Sequence, residues 1–129
     1  MRFTALFMLG ALCITSSMAR ESEEWGNSDA SVREWYKKLM QPDHPRISCC
    51  GEADAYWADS FEVEGDHYIA IITDDRPDKP LNRRHIESGT RLSVPNYKVK
   101  FDAGNPTGHG VIFIGVQGEI YCYIPPGGV

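Results

Sequence analysis

The sequence lacks an excess of positive charge. Its 129 residues include 13 Lys and Arg against 18 Asp and Glu, for a formal net charge of −5 at pH 7. A nucleic-acid-binding domain normally carries a basic patch, and the only concentrated positive segment here is Arg83-Arg84-His85. Because a cluster this short is ordinarily solvated surface, we expect no nucleic-acid partner.

The sequence also lacks an apolar run long enough to cross a membrane. A spanning helix needs about 20 mainly apolar residues, whereas the run Ala5–Ile14 is closed by Thr15-Ser16-Ser17. Arg2 before the run and Ser17-Met18-Ala19 after it complete the pattern of a cleavable secretory signal peptide. We therefore expect cleavage near Ala19, a periplasmic or secreted protein, and no membrane span after cleavage.

No internal repeat, low-complexity tract or linker divides the remaining chain. Residues 20–30 are polar and interrupted by Gly26-Asn27-Ser28, which is typical of a flexible leader. Removal of the signal leaves a length close to that of one domain. The sequence thus predicts a signal peptide at residues 1–19, a leader at 20–30 and one domain at 31–129.

The domain is predicted to begin with a short amphipathic helix. Ser31-Val32-Arg33-Glu34 has the pattern of a capping box, and Pro42 ends the helical pattern. Apolar residues recur on one helical face at Val32, Trp35, Tyr36, Leu39 and Met40. We expect this face to pack against the core, because so short a helix is stable only when packed.

From Ala55 the pattern changes to strands. An extended run that carries Trp57, Phe61 and Val63 on one side, the turn Glu64-Gly65-Asp66 and the run His67–Thr73 predict a hairpin. Residues 74–90 are predicted to form a long surface loop. Further strands are predicted at Arg91–Val94, Tyr97–Phe101, Val111–Ile114 and Ile120–Ile124. The fold class expected is α+β, with a short N-terminal amphipathic helix packed on a small curved antiparallel sheet or partly open barrel of five to six strands.

The cysteines lack the C-x-x-C spacing of redox enzymes. Cys49, Cys50 and Cys122 remain after cleavage, and thiols pair in an oxidising compartment. Adjacent cysteines rarely bond to each other, so we predict a disulfide of Cys122 with Cys49 or Cys50 that closes a loop of about 70 residues. We interpret the remaining cysteine as buried and structural, with intermolecular pairing, redox exchange and metal binding as alternatives.

Metal-ligand spacing is also absent, although potential donors cluster near the cysteine pair. These donors are Asp43, His44, Cys49, Cys50, Glu52 and Asp54. We predict that the protein binds no metal and no cofactor. The alternative is a periplasmic metal-binding protein, for which copper and zinc are the candidate ions.

The candidate functional loop contains Asn105, Thr107 and His109, within Asn105-Pro106-Thr107-Gly108-His109-Gly110. A hydroxyl or thiol nucleophile needs a base, and His109 is the best base available. The alternative is a rigid turn in which the Asn105 side chain bonds local backbone. His44, His67 and His85 are interpreted as surface residues, and no residue is assigned as catalytic.

Several segments together resemble a group of small exported proteins of α-proteobacteria. They are Trp35-Tyr36, the Ser48-Cys49-Cys50 block that continues to Trp57, Asn105-Pro106-Thr107-Gly108, and Cys122-Tyr123-Ile124-Pro125-Pro126-Gly127. The resemblance spans nearly all of the mature domain. It implies a bacterial periplasmic or secreted setting, and it assigns no catalytic residue because the group has no established activity.

The function expected from these features is non-catalytic. A disulfide-capable scaffold with no assembled catalytic set favours a binding or accessory protein, whose loops contact a protein partner or an envelope component. The alternatives are a small hydrolase that uses a thiol or Thr107 with His109, and the metal-binding protein described above.

Overall fold

The computed structural model describes residues 30–127. The signal peptide predicted at residues 1–19 and nearly all of the leader predicted at 20–30 lie outside the described residues.

The predicted helix is present as α1, Ala30–Lys38. It begins one residue before Ser31, so Ser31 does not occupy the N-cap position that the capping box requires. It is the first element of the described residues rather than the N terminus of the chain. Tyr36 and Leu39 are buried as predicted, and Trp35 packs against the same core cluster.

In the part of the chain that the structure describes, six strands form two antiparallel sheets. Their bounds are Ala55–Trp57 (β1), Ser60–Glu64 (β2), His67–Ile71 (β3), Arg91–Pro95 (β4), Val111–Ile114 (β5) and Ile120–Ile124 (β6). The strand orders are β1-β5-β6 and β2-β3-β4. The α+β class and the number of strands are confirmed. Within residues 30–127, however, the strands form two separate three-stranded sheets and do not close into a barrel.

The chain passes from one sheet to the other at Ala58 and Asp59. Ala58 N–H still donates to Gly110 O, at 2.8 Å, and extends the β1 alignment. Asp59 N–H instead donates to the hydroxyl of Thr73, at 3.0 Å. The predicted extended run that carries Trp57, Phe61 and Val63 is therefore divided into two strands in different sheets, because the hydroxyl of Thr73 takes the place of a neighbouring strand at Asp59.

The two predicted hairpins are present. β2 and β3 pair from Ser60↔Ile71 to Glu64↔His67, around a turn in which Gly65 has a φ of +61°. β5 and β6 pair with an irregularity at Phe113/Ile114.

The strand predicted at Tyr97–Phe101 is wrong. Asn96–Lys98 forms a 3-10 turn, because Asn96 N–H donates to Asp66 O and Val99 N–H donates back to Asn96 O. Only Val99 keeps a β contact, a single parallel bridge to Tyr123. Tyr97 and Phe101 are exposed as a result. The loop predicted at residues 74–90 contains no helix or strand.

The β1-β5-β6 sheet is the central layer of the described residues. Alternate side chains of β5 enter two core clusters: Val111 and Phe113 pack with Tyr36 of α1, while Ile112 and Ile114 pack against residues of the β2-β3-β4 sheet. All four residues of β5 are buried for this reason. The described part of the chain contains no helix with the length and apolar character needed to cross a bilayer.

Candidate functional site

Cys122 of β6 forms its disulfide with Cys49, which resolves the choice left open by the sequence. The two Cα atoms are 5.7 Å apart, and both residues are completely buried. Cys50 is buried as well, but no cysteine in residues 30–127 is a free thiol, so the expectation of one unbonded cysteine is wrong. No cysteine in residues 30–127 presents an accessible sulfur to solvent.

The loop that carries Asn105, Thr107 and His109 is held by its own hydrogen bonds. Asn105 Oδ1 accepts from the backbone N–H of Thr107 at 2.9 Å and from its hydroxyl at 2.7 Å, and Asn105 Nδ2 donates to His109 O at 2.8 Å. The Thr107 oxygen accepts from His109 N–H at 3.1 Å. These contacts match the rigid-turn interpretation, because the Thr107 hydroxyl bonds within the turn.

The His109 side chain contacts a residue that sequence reasoning missed, Asp59. His109 Nδ1 lies 3.0 Å from Asp59 Oδ2, which also accepts from the Thr73 hydroxyl at 3.0 Å, while Gly110 N–H donates to Asp59 Oδ1 at 2.8 Å. Burial raises the pKa of Asp59, but the hydrogen bonds together lower it by more than burial raises it. The pKa of Asp59 is therefore below its usual value. Because an ionised carboxylate only accepts hydrogen bonds, Nδ1 carries a proton and Nε2 faces outward from the pair.

Trp57 of β1 is covered by a ring on one face and a cation on the other. The His109 imidazole stacks on the indole with centroids 4.3 Å apart and an interplanar angle of 10°. The Arg76 guanidinium carbon lies 3.7 Å from the same ring. Two planar groups this close to one ring cannot share a face without clashing, so they lie on opposite faces. Trp57 therefore offers no open ring face to a ligand.

A buried ion-pair network holds the loop between β3 and β4. Asp74 accepts from Nε and Nη2 of Arg76, at 3.0 and 2.7 Å, and from Nη1 of Arg83, at 2.8 Å. The Arg83 side chain is only 2% exposed and also donates to Ala55 O and to Asp78. The prediction that Arg83-Arg84-His85 is a solvated cluster is thus wrong for Arg83. The reason is that its Nη1 and Nη2 groups donate to acceptors of the loop and of β1.

A cleft of about 290 Å³ lies between this loop and the β5–β6 turn. Its walls include Tyr56, Arg84, Ile114 and Val116. The Tyr56 hydroxyl donates to Arg84 O, so the inner wall is tied to the loop.

Metal ligands are not brought together in the described residues: no three His, Cys, Asp or Glu side chains form a group that would hold an ion. Among the potential donors, Asp43 instead accepts from Lys98 at 2.9 Å, and His44 lies on the surface.

Among the described residues, a group of exposed apolar side chains lies on and beside β2. We call β2, which includes Phe61 and Val63, together with Tyr68 and Phe101 the β2 surface. All five residues of β2 are exposed. Phe61 is 38% exposed, Val63 60% and Phe101 59%. The aromatic rings are contiguous, with Phe61 and Tyr68 centroids 5.3 Å apart and Tyr68 and Phe101 centroids 6.5 Å apart. β2 pairs only with β3, so its other side is an open sheet edge.

Comparisons with protein-family models, with curated proteins and with solved structures find no match to this chain.

Proposed function

We propose that the protein is an exported, non-catalytic binding module of the bacterial cell envelope that takes up an extended segment of a partner protein along β2. The observation that carries the proposal is the β2 surface, where an open sheet edge coincides with exposed apolar side chains. Periplasmic export is part of the same proposal, and the disulfide between Cys49 and Cys122 supports it because such bonds persist in oxidising compartments.

An open edge strand is a template for another strand, and proteins usually protect it. Other edges of this fold carry such protection. The outer strand β4 ends in Pro95, which has no N–H to donate. β6 is covered by Val99 and by Lys100, whose N–H donates to Tyr123 O at 2.9 Å. β2 has no comparable cover among the described residues, which favours strand addition at this edge.

Strand addition uses two kinds of contact, and the β2 surface supplies both. Main-chain hydrogen bonds provide affinity, and alternate side chains of the added strand enter apolar sites beside the edge. Phe61 and Val63 lie two residues apart in β2, on one face of the strand. Tyr68 of β3 and Phe101 continue this apolar strip across the sheet, on the side of β2 away from the open edge.

The state of the residues that a hydrolase would need as nucleophiles supports the non-catalytic assignment. The Thr107 hydroxyl donates within its own turn rather than to a base. The described residues also contain no free thiol that could serve as the nucleophile.

The test is a selection of random twelve-residue peptides displayed on phage against the oxidised, immobilised domain. We expect enriched peptides that protect β2 backbone amides from hydrogen exchange when they bind. Val63→Asp should weaken binding of the enriched peptides by about tenfold or more, since it places a charge in the apolar strip. Val116→Asp is the matched control, because Val116 is 73% exposed in the β5–β6 turn, outside the β2 surface.

Two results would refute the proposed function. One is a selection that enriches no peptide. The other is a set of peptides that bind wild type and Val63→Asp equally and leave the β2 amides unprotected.

A further inference from the structure

β2 has two chemically different faces. Phe61 pairs with Ala70 and Val63 with Tyr68, so these side chains lie on the side of the sheet that covers the second core cluster. Glu62 and Glu64 alternate with them and lie on the outer face. A strand added to β2 must therefore match an apolar strip on one face and carboxylates on the other.

The outer face carries more negative than positive charge. Arg91 reaches across β3 and binds both carboxylate oxygens of Glu62, at 2.7 and 3.1 Å, and lies 3.9 Å from Glu64. One guanidinium thus serves two exposed carboxylates. The hydrogen bonds from Arg91 lower the pKa of Glu62, which keeps it ionised near neutral pH.

The residues that flank β2 in the sequence do not supply further cations. Along β2, its turn and β3, from Asp59 to Thr73, the sequence contains no Lys or Arg. Asp66, in the β2–β3 turn, lies 2.7 Å from His67 Nδ1 and is itself largely exposed. The β2 edge therefore lies in a negative stretch of the surface.

A second copy of this chain is a poor match for the edge. An antiparallel pairing of two β2 strands that sets Val63 opposite Phe61 or Val63 of the other copy places Glu62 opposite Glu62 or Glu64, and only the register with Phe61 opposite Phe61 places it opposite Ser60. Like charges directly opposite each other on neighbouring strands are destabilising. A cationic partner would instead neutralise the carboxylate that Arg91 leaves without a close ion pair.

We infer that the segment bound along β2 alternates apolar and basic residues, with Lys or Arg side chains opposite Glu62 and Glu64. This inference rests on the proposed function. It specifies the partner as a cationic, extended polypeptide segment, because apolar side chains at every second position fill the strip beside Phe61 and Val63 while the intervening cations meet the carboxylates.

The experiment compares two synthetic peptides of equal length, one alternating Val and Lys and the other alternating Val and Glu. Binding to the full mature domain is measured by titration, and its location by hydrogen exchange of β2 amides. We expect the Lys peptide to bind at least about tenfold more tightly than the Glu peptide. We also expect this preference to decrease as salt is added, because exposed charges are screened.

Charge variants separate a specific contact from a general effect of net charge. Glu62→Lys with Glu64→Lys should reverse the order of the two peptides, and Glu62→Gln with Glu64→Gln should abolish the preference while the fold is retained. Glu34→Lys with Asp75→Lys changes the net charge by the same amount at exposed sites away from β2, and it should leave the preference in place.

The outcomes distinguish this inference from the proposed function. Equal binding of both peptides at β2, or tighter binding of the Glu peptide, overturns the inference and leaves the proposed function standing. The absence of β2 protection with either peptide, together with a failed phage selection, refutes the proposed function. A concentration-dependent dimer joined through β2 would show that the occupant is a second copy and would overturn the inference.

Discussion

Asp74 is the residue on which the loop between β3 and β4 depends most. It is buried and accepts hydrogen bonds from Arg76 and Arg83 as well as from the backbone N–H of Trp57, at 3.0 Å. Burial alone raises the pKa of Asp74, but the hydrogen bonds from the two guanidinium groups outweigh it and hold the pKa well below its usual range. The Asp74 carboxylate is therefore ionised in the folded protein and forms ion pairs with both Arg76 and Arg83.

Replacement of Asp74 is predicted to be strongly destabilising. Asp74→Asn leaves the buried Arg83 without its closest anion, and removal of one partner of a buried pair costs about 3–5 kcal/mol. The free energy of unfolding is measured by urea denaturation at pH 7. The control is Asp75→Asn, an exposed neighbour, for which we expect a change within about 0.5 kcal/mol. Equal stability of the two variants would contradict the assigned role.

The same carboxylate predicts a pH dependence. Its folded pKa lies below the unfolded value of about 3.9, so the stabilisation is fully present above about pH 5 and is lost as pH falls from about 4 toward the folded pKa. The difference in unfolding free energy between wild type and Asp74→Asn should thus be constant from pH 8 to pH 5 and decrease below about pH 4. A difference that persists undiminished at pH 2 would refute the assignment.

Gly110 is a second residue whose identity the packing determines. A Cβ atom there would lie 2.3 Å from Ala58 O and 2.8 Å from Pro126 Cδ. Because one of these atoms is backbone, Gly110→Ala must displace the junction between β1 and β5, and we expect a loss of about 1–3 kcal/mol in urea denaturation. Gly104→Ala serves as the comparison, since its nearest atom is the Asp102 side chain at 3.2 Å. Similar losses for both variants would contradict the argument.

At the scale of elements, the disulfide joins the segment before β1 to the last strand. Cys49 and Cys122 are 73 residues apart, and both belong to the core cluster that faces α1. The bond connects two parts of the chain that the β1-β5-β6 sheet also brings together. It therefore reinforces the central layer against which the other two layers pack.

Removal of this bond is predicted to weaken the fold without changing it. Cys49→Ala with Cys122→Ala should lower the free energy of unfolding by about 2–5 kcal/mol in urea under non-reducing conditions. Non-reducing peptide mapping of the wild type should recover a linked peptide that contains Cys49 and Cys122. Recovery of Cys50 linked to Cys122 instead would show that the assigned pairing is wrong.

At the scale of the whole molecule, the described residues form three layers, with α1 on one face of the β1-β5-β6 sheet and the β2-β3-β4 sheet on the other. The inner layer is nearly all apolar. The outer sheet exposes its edge strand β2. The Asp74 network holds the loop that connects the other two strands of this sheet, β3 and β4. The proposed binding surface thus lies at the open edge of a layer whose inner face, which also carries Phe61 and Val63, is anchored in the core.

Export of the molecule is testable directly. Expression of the full chain in a Gram-negative host should yield a periplasmic protein that begins at Arg20, because Ser17-Met18-Ala19 has the small side chains that a signal peptidase accepts. Intact mass and N-terminal sequencing measure the cleavage site. Ala19→Arg should block cleavage, and a wild-type protein that retains residues 1–19 in the cytoplasm would refute the prediction.

Local sequence alone determined α1, the hairpins β2–β3 and β5–β6, and the loop at residues 74–90, because periodicity and turn residues act between near neighbours. It also predicted a disulfide at Cys122, and it left the Asn105 segment as either a functional loop or a rigid turn. Only the tertiary structure decided between Cys49 and Cys50, paired Asp59 with His109, buried Arg83 and exposed β2. Each of these depends on which distant segments pack together, and the spacing of residues along the chain does not encode that choice.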